Sequence, residues 1–147
     1  MSEETPAAAS WNDQVIEQFR AGAPRIADMF DRSALILLHT RGARSGRERL
    51  SPLAYLTDGD RYVVIASAAG RPEHPAWYHN LVANPRVRGE IWVGDAIEAF
   101  DAVAEPAEGE ERERLWADVT AKVPAFADYQ QQTTRTIPVV TLRRLAD

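Results

Sequence analysis

The sequence predicts a mainly β protein with peripheral helices (α+β), its strands forming a small six-stranded antiparallel barrel. Three observations predict it. Short apolar runs, several of them rich in β-branched residues, recur from Ala34 onward. Turn dipeptides such as Asp58-Gly59 and Gly94-Asp95 separate them, and these favour tight antiparallel connections. Helical spacing is confined to the start of the chain, to the stretch Ala76–Pro85 and to the region after Pro106, so helices border the strands instead of alternating with them. A sheet of that kind is expected to close on itself, because closure removes unpaired edges.

Composition bounds the function classes. A length of 147 residues fits one domain and can bury a core without staples. Hydrophobic and charged fractions of 45% and 27% suit a soluble globular chain. The absence of cysteine excludes a disulfide framework and thiolate chemistry, and it fits a cytoplasmic location. A net charge of −5, with the basic residues dispersed, argues against nucleic-acid binding. The longest apolar run falls far short of the ~20 residues of a membrane helix. Met1–Ser10 is acidic and Ala-rich, without the apolar centre of a signal peptide. The expected organisation is a flexible N-terminal tail over 1–10 and a single domain over 11–147 that begins with a helix.

That helix is expected from Asn12, a good N-cap, to Gly22, a good C-cap. Trp11, Val15, Ile16 and Phe19 fall on one face, which either docks on the domain or touches a membrane or partner. Asp13 and Glu17 offset the nearby Arg20 and Arg25, which weakens the membrane alternative. Pro24–Arg32 reads as a short turn or helix. Ala34–Thr40, Arg49–Thr57 and Tyr62–Ser67 read as three consecutive strands of a meander. Pro75 suits the first turn of a short helix, and Asn84-Pro85 ends it. Val87–Val93 and Ala96–Ala104 read as a hairpin turning at Gly94-Asp95. A helix follows from about Pro106 to Val123, with Glu108, Glu110 and Glu111 at its positive end. A second helical segment runs from Pro124 through Tyr129 and Gln132, and Ile137–Leu145 is the last strand.

Chemistry concentrates in the turn between the first two strands, Thr40-Arg41-Gly42-Ala43-Arg44-Ser45-Gly46-Arg47-Glu48-Arg49. Two glycines let the backbone expose amides, and arginines stand at 41, 44, 47 and 49. Guanidinium groups pair with phosphate or carboxylate in a forked geometry, so the turn suits an anion with several oxygens. It lacks the P-loop spacing. An arginine-rich, solvated hairpin tip is the plain alternative.

No pair of carboxylates shows an acid–base arrangement. His39, His74 and His79 are too few and too unevenly spaced for a metal site without cysteine. Nucleophile-elbow and dinucleotide-binding glycine motifs are absent. An aromatic and polar set remains: Trp77, Tyr78 and Asn80 on one short helix, Phe126 and Tyr129 on another, and Ser67 at a strand end. Such rings can wall a flat conjugated ligand, or they can plug the end of the barrel.

Taken together these stretches resemble the deazaflavin (coenzyme F420)-dependent nitroreductase and quinone reductase family. The resemblance rests on Leu35–Thr40, on Gly42-Ala43-Arg44-Ser45-Gly46 with Arg49 and Pro52, and on Asp58–Tyr62 and Ser67. It continues through His74-Pro75-Ala76-Trp77-Tyr78-His79-Asn80-Leu81-Val82-Ala83-Asn84-Pro85, Tyr129-Gln130 and Thr134–Val140. It implies a split β-barrel and an enzyme that carries hydride from reduced coenzyme F420 to a quinone, nitro or activated-alkene acceptor. It also implies site roles. Arg44, Ser45 and Arg49 would hold the coenzyme's phosphate and oligoglutamate tail, with Arg41 and Arg47 as auxiliaries. Pro52 and Leu53 would lie along the ring system, Trp77 and Asn80 would border the coenzyme, and Ser67 and Tyr129 would stand at the substrate. Two departures matter. Ser67-Ala68-Ala69-Gly70 stands where members often carry Ser-Lys-Gly-Gly, and Phe126 and Val123 stand where some nitroreductases carry tyrosine.

The fold itself leaves alternatives open: a non-catalytic binding module, or an FMN- or lipid-binding protein. FMN is the second cofactor candidate. The expected partner is a small-molecule electron acceptor, with peripheral membrane contact through the N-terminal helix as a weaker idea. The chain is expected as a monomer or a homodimer.

Overall fold

The structure, a computed structural model, describes residues 7–28 and 30–146. Of the expected tail, residues 1–6 lie outside the described residues, and 7–10 already belong to the first helix, α1 (Ala7–Ala21). Asn12 is therefore inside the helix and not its cap. The other end is as expected. Gly22 takes φ +82°, and the amides of Gly22 and Ala23 reach the carbonyls of Phe19 and Gln18 at 3.2 and 3.1 Å, which satisfies the last turn. Val15 and Phe19 are buried with Ile26, Leu35 and Leu37, so the apolar face of α1 docks on the sheet. Trp92 fixes it there, donating from Nε1 to the Phe19 carbonyl at 2.9 Å.

Pro24–Arg32 is neither simple turn nor helix. β1 (Arg25–Ile26) and β2 (Phe30–Asp31) form a minimal antiparallel pair. Ala27 and Asp28 at its tip both lie in the left-handed region, φ +54° and +56°, a conformation that reverses the chain and cannot propagate as a helix.

The remaining strands are β3 (Leu35–Arg41), β4 (Glu48–Ala54), β5 (Leu56–Asp58), β6 (Arg61–Ile65), β7 (Arg86–Val93), β8 (Ala96–Pro106) and β9 (Val139–Arg144). Three helices punctuate them: α2 (Ala76–Ala83), α3 (Gly109–Lys122) and α4 (Ala125–Gln131). β3 to β9 form one sheet of seven strands in the order β4-β3-β7-β8-β9-β6-β5, every pairing antiparallel.

Six strands were expected, and the seventh has a clear origin. The run Arg49–Thr57 breaks at Tyr55, whose amide turns to the Ala34 carbonyl at 3.1 Å. Before the break Ala54 pairs with Leu35; after it Leu56 pairs with Val63. The meander therefore bends: its first half follows β3, its second half β6. β4 and β5 are the two edges of the sheet, yet one residue joins them, so the sheet must curl into a half-barrel.

β3 explains why its sequence is apolar without alternation. Ile36 and Leu38 belong to the cluster inside the curl, with Val64, Phe100, Val140 and Leu142, while Leu35 and Leu37 meet α1. Both faces are covered, so both sets are buried. Trp77 and Leu81 of α2 pack against the inner cluster and close one end of it. A third cluster joins β6 and β9 to α3 and α4 through Val63, Leu115, Val119, Phe126 and Ile137.

An ion-pair knot ties the β5–β6 hairpin to α3. Asp58 accepts from Arg61 at 2.7 Å and from both Nη atoms of Arg114 at 3.2 Å. The hydrogen bonds from Arg114, then Arg61, hold its carboxyl down from 3.8 to about 2. A depressed carboxylate stabilises the fold above its unfolded value and loses that contribution as pH falls through the folded one. The melting temperature of the natural protein is thus expected to drop between pH 4 and 2, and that segment of the pH profile should flatten in Asp58→Asn.

Candidate active site

The arginine turn lies between the last β3–β4 pair, Arg41 and Glu48. The Gly42 amide donates to the Arg47 carbonyl at 2.7 Å and the Gly46 amide to the Gly42 carbonyl at 3.0 Å. Ser45 Oγ accepts from the Arg47 amide at 3.1 Å. A Cβ at position 42 would lie 2.6 Å from Ser45 Oγ, so any larger residue there would displace that hydroxyl from the turn. Arg41 braces the turn from outside, donating to the Gly46 carbonyl at 3.1 Å.

α2 holds this turn in place. Asn80, 8% exposed, accepts from the Ala43 amide at 3.0 Å through Oδ1 and donates to Thr40 Oγ1 at 3.3 Å through Nδ2. Asn84 adds a bond from Nδ2 to the Arg41 carbonyl at 3.3 Å. Asn80 thus orders the turn; its amide is already engaged by protein partners.

Two cavities meet beside α2. One, of about 1020 Å³, is walled by Arg44, Ser45, Arg49 and Asn80, with Asn12 and Asp13 of α1 opposite. Arg44 and Arg49 have no acidic partner among the described residues, and Glu48 on the same wall stands 3.4 Å from His39 Nδ1. The other, of about 700 Å³, is walled by Pro52, Leu53, Ile65, Ser67, Trp77 and Phe126. Asn12, Ala76 and Trp77 line both. The two share a wall at Trp77: one arm of the groove carries Arg44 and Arg49, and the other, the apolar arm, carries Pro52, Leu53, Trp77 and Phe126 together with Arg71, Glu73 and His74. Pro52 is tolerated because β4 is an edge strand that needs no further amide donor.

The structure therefore brings together Arg44, Ser45, Arg49, Asn80 and Trp77 in one arm, and Pro52, Leu53, Ser67 and Trp77 in the other. Tyr129 joins neither. Its half-buried ring packs against the β6–β9–α3 cluster, 6.3 Å from Phe126 between centroids, and Phe126 supplies the wall instead. Arg47 is exposed at the tip, and Arg41 faces a separate cavity.

Two features of the groove were not foreseen. α1 contributes Trp11, Asn12 and Val15 to the apolar arm; its apolar spacing was visible, but its position over the turn was not. The second is Arg135. Its guanidinium donates to the carbonyls of Arg71 (2.9 Å), Ala66 (3.2 Å) and Ser67 (2.8 Å), and lies 2.8 Å from His74 Nδ1. It clamps the whole 66–74 loop around the apolar arm. Residues more than 60 positions apart carry no sequence signal for such a contact.

That loop is strained. Ala68 and Ala69 both adopt left-handed backbone, φ +47° and +54°, at a cost of about 1–2 kcal/mol per residue. Glycine relieves the strain but costs more chain entropy. Ala69→Gly is expected to stabilise the fold by about 0.5–1 kcal/mol, read as a rise of about 2–3 °C in Tm.

The fold is a curled antiparallel sheet with a groove beside α2. The comparisons with known proteins identify the class: the chain matches the F420H(2)-dependent quinone reductase family over residues 11–144 and belongs to that family. An F420H(2)-dependent quinone reductase of Mycobacterium tuberculosis is 43% identical over 112 residues, 74% of this chain and 72% of that protein. A solved F420-H2 dependent reductase, FDR-A, is 39% identical with a TM-score of 0.63, covering 74% of this chain and 93% of that one. A second solved structure, described as a domain-swapped dimer, is 36% identical with a TM-score of 0.66, covering 88% of this chain and 94% of that one. The chain is thus an oxidoreductase of the F420-dependent class, and coenzyme F420 is its cofactor.

Proposed function

We propose that the groove binds reduced coenzyme F420 along its whole length and brings a quinone into the apolar arm. The observation that carries this reading is the division of the groove at Trp77. A deazaflavin has a flat ring and an anionic tail, and each arm matches one of them in chemistry. Arg44 and Arg49 fit the tail, since both are exposed cations on the turn that walls this arm. Ser45 orders that turn. Pro52, Leu53 and Trp77 fit the ring and keep water from it.

The bound coenzyme supplies a hydride, a two-electron reductant that this chain cannot provide. The side chains bind, orient and exclude water, so that the acceptor lies within reach. Ser67, on the wall of the apolar arm, is the candidate hydroxyl donor to an acceptor oxygen. Tyr129, the second donor the resemblance implies, lines neither arm, so Ser67 is the better supported of the two. Nitro compounds and activated alkenes share the electron-poor centre of a quinone and extend the acceptor range we infer.

We take residues 11–147 as one domain of split β-barrel type, with α1 as part of it because Val15 and Phe19 lie in its core. We infer a cytoplasmic setting from the cysteine-free sequence. Among the described residues no helix is long and apolar enough to cross a membrane. Peripheral contact through α1 has little support, because only Trp11 of its apolar face stays exposed, at 43%. Both a monomer and a homodimer are compatible with this groove.

Anaerobic mixing of the protein with reduced coenzyme F420 and a water-soluble quinone tests the reading. Catalysed return of the oxidised deazaflavin absorbance is expected. Binding without oxidation would favour a carrier, and a yellow protein retaining FMN would favour the flavin alternative.

A further inference from the structure

The apolar arm contains a histidine to which the quinone reductase reading gives no role. His74 lines it together with Ser67, and its ring is only partly exposed. Arg135 Nη1 lies 2.8 Å from its Nδ1. A guanidinium has donors only and keeps its proton, so Nδ1 must accept. The single N–H of the neutral imidazole is then on Nε2. Among the described residues that Nε2–H has no partner. The same guanidinium donates to the Ser67 carbonyl at 2.8 Å, so one cation sets Ser67 and His74 relative to each other.

The surroundings also keep the ring neutral. Burial, then Arg135, then His79 hold the His74 pKa below its ordinary value. The groups around it are Arg135, the rings of Tyr78 and His79 at 4.8 and 5.7 Å, and its chain neighbour Glu73, which is exposed.

We propose that His74 is a catalytic hydrogen-bond donor, its Nε2–H meeting the acceptor oxygen on which negative charge grows as hydride arrives, and that Arg135 is the positioning residue that fixes this tautomer. The proposal rests on the quinone reductase reading. The acceptor gains a hydride with its electron pair from the reduced coenzyme and a proton from water. The coenzyme is oxidised and returns one proton to water, and the quinone becomes a quinol. His74 keeps its own proton throughout. A neutral imidazole donor suits this task, since its Nε2–H can stabilise a developing oxyanion while Arg135 holds Nδ1. The arrangement selects acceptors that carry a carbonyl-type oxygen beside the reacting centre.

Two measurements test it. The first needs no coenzyme: nitrogen-15 NMR of the histidine rings in the natural protein and in Arg135→Gln. A His74 protonated on Nε2 and not on Nδ1, with the tautomers mixed in Arg135→Gln, is the expected result; an Nδ1–H tautomer in the natural protein would overturn the proposal. The second is kinetic. His74→Leu should lower kcat with a quinone by about 100-fold, the lower end of the range for loss of one oxyanion donor. Its coenzyme affinity by fluorescence titration should fall far less than kcat does. His74→Gln, which keeps an N–H near the position of Nε2, should recover most of kcat. A kcat for His74→Leu within twofold of the natural protein, or no recovery in His74→Gln while the coenzyme still binds, would also overturn it. Should the natural protein show the Nε2–H tautomer yet neither bind nor oxidise the coenzyme, the functional reading itself falls, and the donor role with it.

Discussion

Replacing Arg44 and Arg49 together by alanine is expected to weaken coenzyme F420 binding by about a hundredfold while leaving the protein folded. Each arginine offers charge-assisted hydrogen bonds to a phosphate or carboxylate, worth about 1.5–3 kcal/mol where water is partly excluded. Both side chains are exposed, so the lower end applies, near tenfold for each. Neither has an acidic partner among the described residues, and exposed charges of that kind contribute little to folding. Tm should therefore move by no more than about 1–2 °C. Isothermal or fluorescence titration at two salt concentrations checks both parts. The loss should shrink at high salt, where the natural protein also loses electrostatic affinity.

Asn80→Ala is expected to damage stability and binding together, which separates it from the arginine pair. Its carboxamide serves Ala43 N and Thr40 Oγ1 in a buried setting. Removing it strands those polar groups, at a cost of about 1–3 kcal/mol, or about 3–9 °C in Tm for a chain of this size. The Ala43 amide is also what ties the arginine turn to α2, so Arg44 loses its fixed position and coenzyme affinity should fall about tenfold beyond any unfolding. Thermal melts and titration below the melting range measure the two effects separately. Asn80→Asp keeps the acceptor for Ala43 and should retain more affinity than Asn80→Ala.

Much of this was legible in the sequence because it depended on local chemistry. The hairpin at Gly94-Asp95, the start of α2 after Pro75 and its stop at Asn84-Pro85 all follow from nearby residues. So does the arginine turn, whose glycines and strands lie within one stretch of chain. What was not legible depended on distance. Tyr55 breaks a run that looks continuous because its two halves serve different partners, β3 and β6. α1 begins at Ala7 and not at Asn12, since a good cap residue can also sit inside a helix. Tyr129 and Phe126 are one turn apart on α4, and only packing decides which of them faces the groove. Asn80, expected to border the coenzyme, lines the groove, and its bonds to the turn were the part that sequence did not show. Arg135 lies in the stretch Thr134–Val140, and nothing local marks its role, because its partners are at positions 66 to 74.

The central claim is that one groove binds a deazaflavin by ring and tail together, and a single set of fluorescence titrations tests it most directly. The purified protein would be titrated with coenzyme F420, with a deazaflavin lacking the phosphate and glutamate tail, and with FMN. Saturable binding of the whole coenzyme, much weaker binding of the tailless ring and no competition by FMN are the expected results, with the first weakened about a hundredfold in the Arg44→Ala, Arg49→Ala variant. Equal affinity for the whole and tailless ligands would contradict the tail site at the arginine turn, and binding of FMN alone would contradict the cofactor.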